Sequence, residues 1–107
     1  MSIAKLVPLL NAAYQRDQSA FNVIRTKVAA LEAQVSKLRK FEQPLSDDST
    51  SFEQSHAWSN HLKWREAEAR RLMRLVFELQ SDLQNARQQL KKSFGRLEAA
   101  RAAAKTE

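Results

Sequence analysis

One pattern constrains this chain more than any other. Apolar residues recur at alternating steps of four and three: Ile3, Val7, Leu10, Tyr14, Asp17, Phe21, Ile24, Val28, Leu31, Val35, Leu38 and Glu42. Ten of these twelve positions are apolar, a helical period rather than the every-second-residue alternation of a strand. A second array runs Trp58, Leu62, Arg65, Ala69, Leu72, Val76, Leu79, Leu83, Ala86, Leu90, Ser93, Leu97, Ala100 and Ala104. Each array outlasts the three to four heptads that mark a coiled coil. The pattern predicts an all-α chain: a long antiparallel two-helix coiled-coil hairpin whose C-terminal helix is the longer.

The break between the arrays is "QPLSDDSTS", residues 43–51. Pro44 disfavours helical geometry at Gln43, and the Ser and Asp side chains compete for backbone groups. Ser51 with Gln54 three residues on forms a capping-box pattern. The reading is a single hairpin over 1–107: a helix over about 7–42, a loop over 43–51, and a helix over about 52–104. Pro8 is tolerated in a first turn. A start capped by Ser2 would instead make Pro8 a kink. Folding the chain about residue 49 sets Ile3 opposite about residue 95, Asp17 opposite 81, and Arg65 opposite 33. Residues 96–107, "RLEAARAAAKTE", then overhang as a single projecting helix.

The single glycine and two prolines suit long helices with few turns. Without cysteine there is no disulfide framework and no thiol chemistry. No apolar run reaches the ~18 residues of a membrane span, and the first residues do not form a signal-peptide pattern. These features give the expectation of a cytoplasmic protein. The net charge of +6 is uneven. Residues 1–43 and 58–107 are basic, and 44–57 carry three acids and no Lys or Arg. Basic arms of this kind meet nucleic acid, an anionic membrane surface or an acidic protein.

Catalytic chemistry finds little to stand on. His56 and His61 are five residues apart, whereas a helical metal pair is spaced three or four. The sole glycine, Gly95, sits in "KKSFGRLEAA" without a phosphate-cradling motif, and its place within a helix reads as tolerance or a weak hinge. A two-helix rod offers no enclosed pocket that desolvates a substrate. No catalytic residue, metal or cofactor is expected, and no enzymatic activity.

Surface chemistry is more informative. Lys63, Arg65, Arg70, Arg71 and Arg74 crowd the start of the second helix, and the hairpin brings them beside Arg25, Lys27, Lys37, Arg39 and Lys40. A solvated face, a protein partner and nucleic acid all remain open readings; Glu66 and Glu68 within the run weigh against nucleic acid. Asp17 and Arg65 violate the seam, as residues that fix register or mark a local opening do. Trp64, Phe77, Leu9, Met73, Phe94 and Leu75 fall outside it. Trp64, Arg70, Arg71, Met73, Arg74 and Phe77 together form the aromatic, Met and Arg mixture in which protein interfaces are enriched. They are the candidate partner-binding residues, for another protein or for a second copy. A thin two-helix core favours such a partner.

The N-terminal arm begins "KLVPLLNAAYQRDQSAF". The C-terminal arm opens "HAWSNHLKWREAEARRLMRLVFELQ" and ends "LQNARQQLKKSFGRLEAARAAA". This layout resembles the FliJ family of flagellar type III export and its virulence-secretion relatives, small basic two-helix rods. The resemblance spans nearly the whole chain, rests on layout more than on a motif, and meets a chain short for that family. It implies a cytoplasmic stalk or general chaperone, peripheral at the inner membrane. The end holding residues 3–17 and 83–104 would dock on the hexameric export ATPase. The remainder would reach the membrane export gate and chaperone–substrate pairs. The alternatives are a self-associating structural coiled coil and a basic nucleic-acid-binding rod.

Overall fold

The computed structural model of the chain describes residues 2–40 and 52–107, and of residues 52 and 53 the backbone alone. It is a helical hairpin. A short 3-10 turn over Ile3–Lys5 precedes helix α1, Val7–Arg39, and helix α2 runs Phe52–Lys105. The expected stop at Pro44, the cap at Ser51 and the end of the first helix at residues 41–42 lie outside the described residues. At the other end both readings of the start hold in part. Ser2 accepts from the Ala4 N–H at 3.3 Å and caps the 3-10 turn, and Pro8 sits in the first turn of α1, where its missing donor is harmless.

The helices pair in two compact units, one of residues 1–27 with 79–107, the other of residues 28–78. In both, the heptad arrays place the core. Every buried residue among those described lies on an array: Asp17, Val28 and Val35 of α1, and Ala69, Leu72, Val76, Leu83, Ser93, Leu97 and Ala100 of α2.

In the unit of residues 28–78, Val35, Ala69 and Leu72 form the buried cluster, with Leu31, Leu38 and Leu75 packed on it. Ala69 has no exposed surface, its methyl enclosed in the cluster with Val35 and Leu72. Leu75 is half-buried against the cluster, so it serves the core rather than the outer surface. Burying a side chain of this size contributes about 1.5–3 kcal/mol, which is why the short cluster can hold the helices together.

In the unit of residues 1–27 and 79–107, Leu97 is 1 % exposed and Ala100 is buried. Ser2 Oγ and the Ile3 N–H donate to the Glu107 carboxylate, each at 2.8 Å. Residues 96–107 therefore do not overhang; the expectation is corrected. Asp17 also meets a different partner from the one expected. It accepts the hydroxyl hydrogen of Ser93, not a group near residue 81, and Arg16 Nε lies 3.3 Å from its other oxygen. Symmetric folding about residue 49 fails for a physical reason. Register is set by which seam side chains bury and pair with one another, and the middle of the connecting sequence has no part in that choice.

Asp17 and Ser93 are polar exceptions of the two arrays in this unit, and they satisfy each other. The Ser93 hydroxyl is the largest influence holding the Asp17 carboxyl below its ordinary range. Burial opposes this, and Arg16 and Gln89 reinforce it. A depressed folded value means that the stabilisation is complete above the unfolded value of about 3.9 and disappears as pH falls through the folded one. Glu107, bonded to Ile3 and Ser2, is lowered in the same direction.

Two predictions follow from this packing. Urea midpoints of the wild type should fall as pH drops below about 4, and Asp17→Asn should show a smaller fall. An equal fall in both proteins would remove Asp17 from the acid response. Second, a methyl built on Gly95 meets nothing within 4 Å, and the backbone there is ordinary helix. Gly95→Ala should therefore stabilise the chain by about 0.5–1 kcal/mol in chemical denaturation; destabilisation would mean that the bare backbone is needed.

Candidate protein-docking surface

The candidate partner residues all lie in the unit of residues 28–78, but they do not form one patch. At 3.6 residues per turn, Trp64 and Phe77 are separated by about 220° around α2. The buried Ala69, Leu72 and Val76 occupy the arc between them. Helix geometry thus divides the six residues between two flanks of the seam.

On one flank Arg70, Met73, Arg74 and Phe77 line an open groove of about 550 Å³ together with Arg39 of α1. Phe77 is 80 % exposed. Arg39 and Arg70 share the carboxylate of Glu66, each at 3.4 Å. Arg74 makes no salt bridge among the described residues.

On the other flank Trp64, 58 % exposed, borders a smaller groove with Gln34, Lys37, Leu38, Glu68 and Leu72. Arg71 turns to this side and grips Glu68 at 3.0 and 2.5 Å. Each partner stabilises the other's charge: the Arg71 hydrogen bond holds Glu68 below its usual value, and Glu68 raises Arg71. Arg71 is thereby committed within the chain, whereas Arg74 is not. His61 stacks on the Trp64 ring at 6.0 Å and 22°, and its other neighbour is Trp58 at 5.8 Å. The two tryptophans, on different faces, are joined through the histidine between them. The spacing Trp58, His61, Trp64 carries that signal in the sequence.

Arg65 explains its own place in the seam. It does not face residue 33. Its Nε donates to the Leu38 carbonyl at 2.9 Å, and one terminal nitrogen donates to both the Lys37 and Lys40 carbonyls at 2.7 Å. The last carbonyls of a helix have no partner within it and carry its negative end. A guanidinium supplies several donors in one plane and the matching charge. A side chain of α2 is therefore the C-terminal cap of α1.

The expected basic cluster is also divided. Lys37, Arg39 and Lys40 lie in the unit with Arg65, Arg70 and Arg74, whereas Arg25 and Lys27 belong to the other. Arg25 there lies 5.9 Å from the Phe21 ring centroid, as does Arg87. Among the described residues no group of three or more His, Cys, Asp or Glu side chains is placed to hold a metal ion. No helix there is long and apolar enough to cross a membrane. These flanks present rings, thioether and guanidinium groups at an open surface, which is chemistry for binding. The chain matches no protein-family model, no curated protein and no solved structure.

Arg65→Met keeps an apolar stem in the seam but removes every donor. It should cost about 1–3 kcal/mol and speed amide exchange in the last turn of α1, with Arg65→Lys restoring only part of the protection. Unchanged exchange near residues 36–40 in Arg65→Met would refute the cap.

Proposed function

We propose that this chain is a non-enzymatic stalk or adaptor of a secretion ATPase, similar to the flagellar type III export protein of the FliJ family. The observation that carries the reading is a helical hairpin whose long helix presents exposed Trp64 on one flank and exposed Phe77 with arginines on the other. Large apolar groups kept in water beside guanidinium groups are what a protein interface uses. In this reading the ATPase ring receives residues 3–17 and 83–104, which belong to one compact unit. An open groove of about 780 Å³ there, lined in part by Ala4, Val7, Ala102 and Ala104, supports this reading by leaving room for a docked element. The export gate and chaperone–substrate complexes meet the candidate residues of the other unit. The protein works in the cytoplasm, peripherally at the inner membrane.

Photocrosslinking in native cells tests this. A photoreactive residue replacing Leu9 should capture the hexameric ATPase, and one replacing Trp64 should capture gate or chaperone components. Crosslinks only to further copies of the chain would favour the self-associating coiled coil, and crosslinks only to RNA or DNA would favour the nucleic-acid reading.

A further inference from the structure

The Phe77 flank has a chemistry specific enough to describe what covers it. Met73 and Phe77 are one turn apart on α2 and are the apolar residues that line it. Arg39, Arg70 and Arg74 stand around them, and no acidic residue lines the groove. The carboxylate of Glu66 is divided between Arg39 and Arg70 at 3.4 Å, a length at which neither ion pair is tight. Arg74 has no carboxylate among the described residues.

We propose that this groove receives an acidic amphipathic helix of another protein. Two of the partner's apolar side chains, one turn apart, cover Met73 and Phe77, and carboxylates beside them meet Arg39, Arg70 and Arg74. The inference rests on the protein-docking reading above and names the partner's chemistry. An amphipathic helix lays such a pair into a groove at three- and four-residue spacing, which matches the spacing of Met73 and Phe77. Guanidinium groups bind carboxylates through parallel hydrogen bonds, so charge fixes the orientation while the ring provides the anchor. A second copy is a poor occupant. A two-fold contact sets a face against itself, so the arginines of one copy would meet the arginines of the other. Single-stranded nucleic acid stacks its bases on successive aromatic rings, and this groove has one, Phe77.

The test uses the full chain and two synthetic helical peptides. Both carry leucines at i, i+4 and i+7; one is flanked by glutamates, its twin by lysines. Fluorescence anisotropy at low salt should show the glutamate peptide binding at least about tenfold tighter, with the difference shrinking as salt rises. Phe77→Ala and Arg74→Glu should each weaken it about tenfold, and Val23→Ala, an exposed apolar position in the other unit, should not. Circular dichroism checks that each variant is as helical as the wild type. Equal binding of the twins, or wild-type binding by both groove variants, overturns the proposal. So does a concentration-dependent dimer that Phe77→Ala abolishes, or single-stranded RNA binding that Arg74→Glu abolishes without any peptide binding. The outcomes separate from those of the export reading. Crosslinks to export components with no acidic preference defeat this proposal alone, and acidic-peptide binding without such crosslinks defeats the export reading alone.

Discussion

Two helices can hide only one strip each. Every polar group that falls in that strip must find its partner across it, because water is excluded and no third element stands nearby to help. The rest of this structure follows from that demand. Asp17 is tolerated in the seam because Ser93 donates to it. Arg65 is tolerated because the bare carbonyls of Lys37, Leu38 and Lys40 take up its donors. Among the described residues no buried side-chain polar atom lacks a hydrogen-bond partner. An apolar pair can slide by a heptad with little penalty. A matched donor and acceptor cannot, so these contacts define the alignment within each unit.

A narrow seam also leaves much of each helix outside it. In α2 the outward arcs on either side of Ala69, Leu72 and Val76 have become chemically distinct. One carries tryptophan, histidine and an internally neutralised Arg71–Glu68 pair. The other carries a phenylalanine and a methionine among arginines with a shortage of counter-charge. The first has its Arg71 charge matched by Glu68 and offers mainly ring surface. The second is electrostatically incomplete. Two such flanks on one helix are separated by the buried seam, so a change on one leaves the other chemically intact.

The heptad spacing made the helices, their seam and the buried positions legible in the sequence, down to Ala69 and Ala100. Alignment between the helices was not legible from the same spacing, since a stripe of similar apolar residues fits at several registers. The information lay in the exceptions. Pairing Asp17 with Ser93, the polar members of the two arrays in that unit, gives the observed register, whereas folding about the middle of the connecting residues does not. Arg65 was legible as an anomaly but not as a cap, because its acceptors are backbone carbonyls that every residue possesses. The six candidate surface residues were identified by type. Their division into two flanks needed the helical phase to be combined with the position of the core, and Arg39 entered the groove only once the register was known.

The stack of Trp58, His61 and Trp64 has a practical consequence. It gathers both tryptophans of the chain within two turns of α2, in the unit of residues 28–78. The single tyrosine, Tyr14, lies in the other unit, its ring 5.7 Å from that of Phe94. The two compact units therefore carry different intrinsic chromophores. Indole emission reports on the unit of residues 28–78 alone, so comparing it with the loss of helix in the whole chain shows whether the units melt together, without adding a label.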